Sequence, residues 1–127
     1  PLTMSEVTET DGNIVYTELT TDASTADLEQ SYERLLDVAK EHDTVHVYER
    51  VRLSGTDYLS MHTRASGDLK HGDIGDLGRV VAVGGGVWMK LFMTLWKIPV
   101  WPLSPDEIRH LPPEQTEEAE EWIRSSG

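Results

Sequence analysis

The feature that most constrains this chain is a change of hydrophobic period between neighbouring stretches. Leu28, Tyr32, Leu35, Leu36 and Ala39 recur at helical spacing, whereas Asn13 to Thr20 before them and Val45 to Leu53 after them are rich in β-branched and aromatic residues. A helix set between two strands is the opening of an α/β domain, whose parallel strands are joined by right-handed crossovers. Ser24 reads as the N-cap of that helix, with Asp27 three residues on placed to suit the helix dipole. The helix is expected from about Thr25 to Glu41, ending before His42-Asp43.

Similar signals run through the rest of the chain. Thr3 to Glu9 and Asn13 to Thr20 flank Asp11-Gly12, a dipeptide that favours the positive φ angles of a tight hairpin turn. Ser54-Gly55 is a turn signal, after which Asp57 is placed to cap a second helix carrying Tyr58, Met61, His62, Ala65 and Leu69, weakened by Gly67. Gly72 to Asp76 reads as a loop, and Arg79 to Val83, a short apolar run bounded by glycines, as a buried strand. Gly84-Gly85-Gly86 then turns into a third helix from Val87 to about Lys97, Val100 to Leu103 makes a last strand, and Pro112-Pro113 opens an acidic closing helix. One α/β domain over residues 1–127 is expected: a mixed sheet of about 4–5 strands, an N-terminal β-hairpin as its antiparallel edge, and about 4 helices.

Composition narrows the function. A chain of 127 residues is long enough to bury a core without metals or disulfides. With no cysteine, it can hold no disulfide framework, thiolate metal site or thiol nucleophile. Asp and Glu number 23 against 11 Lys and Arg, a net charge of −12 that repels phosphate backbones, so nucleic acid is not an expected partner. Pro1 to Glu9 lacks a basic patch followed by an apolar core, and no apolar run reaches the ~20 residues that span a bilayer, so the expected compartment is the cytoplasm. Charge is unevenly spread: Leu77 to Ser104 contains no Asp or Glu but does contain Arg79, Lys90 and Lys97.

The order of elements and several local strings resemble the SpoIIAA-like branch of the STAS fold, a family of small bacterial proteins. The residues that carry the resemblance are Gly55, Asp68-Leu69-Lys70-His71, Arg79-Val80-Val81-Ala82-Val83-Gly84, Trp88, Leu91-Phe92 and Trp122. It covers roughly Gly12 to Ile123, and Asp68 to Phe92 is its most specific part. The resemblance implies a STAS-like mixed sheet and two functional ideas. In anti-sigma-factor antagonists of this fold, an Asp-Ser-Ser-Gly motif opens the second helix and its serine is phosphorylated by a partner kinase. Here the stretch reads Leu53-Ser54-Gly55-Thr56-Asp57-Tyr58-Leu59-Ser60-Met61, so the motif is missing and serine at this helix start reads first as a cap. The branch is also similar to the core of CRAL-TRIO lipid-transfer domains, which hold apolar ligands behind a mobile helix.

The segment after the glycine turn is where a binding surface is expected. On a helical wheel of Val87 to Ile98, Lys90, Thr94 and Lys97 share one narrow side, while Trp88, Met89, Leu91, Phe92, Met93, Leu95, Trp96 and Ile98 fill the remainder. That apolar arc is roughly 200° wide, about twice the ~100° stripe with which a surface helix meets its core. Something besides the sheet should cover it. A second copy of the chain, giving a homodimer, is the first expectation; a small apolar or lipid-like ligand is the second. Membrane contact is at most transient, because two lysines are a weak anchor. Gly85 and Gly86 join the candidate surface because N–H groups at a helix N-terminus can receive an anion, although a tight turn is the simpler reading. No cofactor is called for.

Candidate catalytic groups are sparser. His42, His46, His62, His71 and His110 include no metal-type pair on one helix. Lys70-His71-Gly72-Asp73 offers acid–base groups near a helix end, where a cap and a dipole partner are the usual roles. Strand alternation puts His46, Tyr48, Arg50 and Arg52 on one face and Val45, Val47, Glu49 and Val51 on the other. Glu49 therefore interrupts an apolar face, and an ion pair with an arginine is expected there. The expected role is a non-enzymatic binding or interaction module; the alternatives are a small enzyme using His71 and Asp73 or Glu49, and a phospho-regulated antagonist modified at Ser54 or Ser60.

Overall fold

The computed structural model describes residues 8–65, 77–86 and 106–125. β1 (Thr8–Asp11) and β2 (Ile14–Leu19) form an antiparallel hairpin. α1 (Thr25–Glu41), β3 (Val45–Val51), α2 (Gly55–Ala65), β4 (Leu77–Gly84) and β5 (Glu107–Leu111) come next along the chain. A single 3-10 turn, Pro113–Gln115, then leads into α3 (Thr116–Arg124). The strands lie in the order β1-β2-β3-β4-β5, with every pair after the hairpin parallel. This is the expected mixed α/β sheet. The described residues hold three α-helices, one fewer than the about four expected. The Val87 to Lys97 helix, the Val100 to Leu103 strand and the Gly72 to Asp76 loop lie outside the described residues.

Local chemistry explains most boundaries. α1 begins and ends as expected, and Ser24 and Asp27 form a reciprocal capping box: Asp27 N–H donates to Ser24 Oγ at 3.2 Å and Ser24 N–H to Asp27 Oδ2 at 2.9 Å. The hairpin turn is displaced by one residue from the expected dipeptide. Asp11 pairs with Ile14, so the loop residues are Gly12 and Asn13, and Gly12 takes φ 59°. α2 is capped by Ser54 rather than Asp57, whose N–H donates to Ser54 Oγ at 3.2 Å. Asp57 sits in the first turn, where its charge meets the helix dipole. The last described strand is Glu107–Leu111, a stretch too charged to signal a strand; as the end strand of the sheet's order, it tolerates Glu107 and Arg109 at the surface.

α1 and α2 cover one face of the sheet over Val15, Leu19, Val47, Val51 and Val80. α3 covers the other, packing Ala119 and Ile123 on Tyr16, Tyr48, Val81 and Val83. Between Val45 and Val47 the register of β4 advances from Leu77 to Val80, so β4 carries one extra residue and its alternation shifts. Gly78 allows this: a Cβ there would lie 2.5 Å from the ring of His46, whose Nδ1 accepts the Arg79 N–H at 2.9 Å. Arg79 also fastens α3, donating from Nη1 to the Trp122 carbonyl at 2.8 Å and to Ser125 Oγ at 3.0 Å. Its guanidinium and that of Arg109 lie 4.9 and 4.5 Å from the Trp122 ring centre.

The carboxyl ends of the parallel strands are in register, Leu19 beside Val51 and Val51 beside Gly84. Gly84 has φ 98°, and a Cβ on it would lie 2.1 Å from the Val51 carbonyl oxygen. Gly84→Ala should therefore destabilise the protein by about 1–3 kcal/mol through backbone strain, with the clash adding to that. Urea unfolding measures it, and a loss below about 0.5 kcal/mol would show that the strand ends separate freely.

Candidate functional site

The described residues include only part of the expected binding surface. Gly85 is half-buried and Gly86 is exposed, both at the carboxyl end of β4. Trp88, Met89, Lys90, Leu91, Phe92, Met93, Leu95, Trp96 and Lys97 lie outside the described residues, as do His71 and Asp73. The glycine turn itself is well defined. Gly84, Gly85 and Gly86 take φ values of 98°, 83° and 73°, which side-chain-bearing residues rarely adopt. Gly85 N–H donates to the Val51 carbonyl at 3.2 Å, and His110 on β5 approaches the Gly84 carbonyl with Nε2 at 2.5 Å. With the Gly85 N–H spent on β3, this stretch fits the tight-turn reading better than an anion cradle.

A crevice of about 280 Å³ opens between the start of α1 and the length of α2, lined by residues that include Thr21, Leu53, Asp57, Ser60, Met61 and Arg64. Its lining is mixed, with Asp57 and Arg64 exposed, so it is not the apolar groove expected of a lipid-like ligand site.

The densest chemistry lies elsewhere, beneath α2. Glu49 on β3 is 0% exposed, and its partners are not arginines. Tyr58 Oη donates to Glu49 Oε1 at 2.5 Å, and His62 Nε2 lies 3.1 Å from Glu49 Oε2. His62 Nδ1 in turn lies 2.7 Å from the Tyr32 hydroxyl on α1. With the imidazole proton on Nε2 facing the carboxylate, Nδ1 of a neutral ring accepts from Tyr32. The rings pack edge to face, Tyr58 and His62 centroids 4.3 Å apart and Tyr32 and His62 centroids 5.8 Å apart. The expected Glu49–arginine pair fails because the arginines face the other way. Arg50 and Arg52 reach Glu18 on β2, at 3.4 and 3.9 Å.

Tyr58 and His62 are spaced i, i+4, so one face of α2 delivers both donors to one carboxylate. Burial pushes the Tyr58 phenol well above its ordinary value, and the facing Glu49 charge and hydrogen bond add to that. Burial likewise raises the Tyr48 phenol on the opposite face. His62 is legible in the sequence as a helix-face residue, but not as the partner of Glu49. The signal that could have found it is a carboxylate interrupting an apolar strand face, with a helix bearing two donors one turn apart directly after the strand. Both oxygens of Glu49 are engaged and sealed from solvent, so in this conformation it cannot meet a substrate.

Among the described residues no group of three or more His, Asp and Glu is placed to hold a metal ion, and no helix is long and apolar enough to cross a membrane. A family model described as SpoIIAA-like matches residues 14–124. No curated protein and no solved structure matches the chain.

Tyr58→Phe keeps the ring and removes the donor to Glu49, and should cost about 1.5–3 kcal/mol at neutral pH, measured by urea unfolding. The pH dependence has a definite sign. A raised folded-state value means that the Tyr58 proton stabilises the fold fully below about pH 10, and that this contribution is lost as pH rises through and beyond that point. Wild-type stability should fall steeply above about pH 10, and the Phe variant should fall less steeply. Equal slopes for the two proteins would contradict this assignment.

Proposed function

The chain belongs to the SpoIIAA-like family, and on that premise we propose that it is a non-enzymatic binding or interaction module. Its working surface, in this reading, is the apolar segment from Val87 to Lys97 with Gly85 and Gly86 before it. The observation that carries the non-enzymatic part is the seal over Glu49, Tyr58 and His62. The densest acid–base cluster among the described residues has its hydrogen-bonding groups engaged inside the protein, at 0–1% exposure. Catalysis by Glu49 would need that cluster opened.

Position supports the placing of the surface. The glycine turn that precedes residue 87 lies at the shared carboxyl end of β2, β3 and β4, the side on which open α/β sheets receive their ligands. It is fastened to β3 by Gly85 and approached from β5 by His110. Trp88, Leu91, Phe92, Leu95 and Trp96 would make the apolar contact, with Lys90 and Lys97 orienting the partner. A second copy is the preferred occupant and an apolar or lipid-like ligand the other. Ser54, the candidate phosphorylation position, is engaged as the cap of α2, which supports its structural reading.

Native mass spectrometry of the purified protein, before and after denaturation, distinguishes the occupants. A doubled mass without extra species supports the homodimer, and a small mass seen only in the native spectrum supports the ligand. In either case Phe92→Ala with Trp96→Ala should weaken association at least about 100-fold, as loss of two central aromatic anchors does, and leave the circular dichroism spectrum unchanged. Association that survives the double change places the working surface elsewhere.

A further inference from the structure

α1 and α2 lie on the same face of the sheet but are held there by different means. α1 turns an apolar stripe of Leu28, Tyr32, Leu35 and Val38 into the core. From Thr56 to Ala65 the buried side chains of α2 are Tyr58 and His62, and both aim polar atoms at Glu49. Leu59, Met61 and Ala65 are only partly covered. Lifting α1 would expose a continuous apolar surface. α2 buries fewer side chains of its own, and lifting it would return a carboxylate, an imidazole and a phenol to water, offsetting part of the lost hydrogen bonding. Local opening tracks the number of buried apolar contacts that must be broken, so α2 is the weaker attachment.

We propose that α2 is a latched element that leaves the sheet as one unit while the strands stay paired, with the Glu49–Tyr58–His62 cluster as its latch. The helix is equipped to move whole. Its cap is internal, since Asp57 N–H donates to Ser54 Oγ at 3.2 Å and Tyr58 N–H to the Ser54 carbonyl at 2.9 Å, so both bonds travel with it. The latch is directional: both oxygens of one carboxylate must be satisfied by residues one turn apart, which fixes a single docked position. Opening also breaks the bond from His62 to Tyr32 on α1. This device is independent of whether residues 87–97 meet a second copy or a ligand.

Native-state hydrogen exchange on the full chain, at rising urea below the unfolding transition, tests it. α2 amides should exchange at least about tenfold faster than those of β3 in the absence of urea, through an opening with the smaller urea dependence. If α2 and β3 amides share one rate and one urea dependence, the helix leaves only by global unfolding and the proposal fails. In the apolar variant Glu49→Leu, Tyr58→Phe and His62→Leu, α2 exchange should slow to the rate of β3. Unchanged α2 exchange in that variant would also overturn the latch, because the cluster would then have no hold on the helix. Should that variant not fold, the wild-type comparison decides alone.

Discussion

A carboxylate buried on a central strand is the constraint to which much of the helical face answers. Glu49 lies on the same face of β3 as Val45, Val47 and Val51, where an unpaired charge would be untenable, so the fold must bring it donors. Both come from α2, and a third group, Tyr32 on α1, completes the chain of hydrogen bonds through His62. One carboxylate therefore ties together a strand and the two helices above it. Slipping α2 by one residue would rotate its donors by about 100° and leave the charge orphaned. An apolar stripe tolerates small slips of that kind; this arrangement does not.

A second fixed point lies at the carboxyl end of the sheet. Gly84 brings β4 so close to the Val51 carbonyl that no side chain fits, and the next N–H, that of Gly85, bonds to the same oxygen. His110 approaches the Gly84 carbonyl from the outer strand. The glycine turn is thus held from both sides, by β3 and by β5.

The sequence displays some of this and conceals the rest, for identifiable reasons. α1 is legible because Ser24, Asp27 and a regular apolar spacing all agree. The mixed sheet can be read from alternating periods, and the SpoIIAA-like resemblance rests on strings inside the region that the family model matches. The hairpin turn is misplaced by one position because Asp11-Gly12 and Gly12-Asn13 are both good turn dipeptides, and pairing decides between them. β5 is missed because Glu107, Arg109 and His110 carry no strand pattern, and its place at the end of the sheet makes that composition acceptable. The Glu49 cluster is half visible. Alternation places the charge on the buried face, but partner identity is a three-dimensional fact, and the nearby arginines serve Glu18 on the opposite face.

The helices differ in how their docking is specified, and length explains why. α1, with 17 residues, buries enough apolar positions for its stripe to define its place. α2 and α3, with 11 and 9 residues, are short enough that neither would persist alone, and each turns few side chains fully inward. Hydrophobic contact is non-directional, so two or three buried positions leave rotation and register poorly determined. Each short helix has a polar tie that supplies direction: Tyr58 and His62 to Glu49 for α2, and Arg79 to the Trp122 carbonyl and Ser125 for α3. The two ties differ in depth. Arg79 keeps part of its side chain in solvent, so its bonds can form and break with less change in hydration than those of a sealed group. The α2 tie is sealed, and its charge must be desolvated each time the helix docks. Of the two short helices, α2 therefore has the more sharply two-state attachment, closed with every donor in place or open with the carboxylate in water.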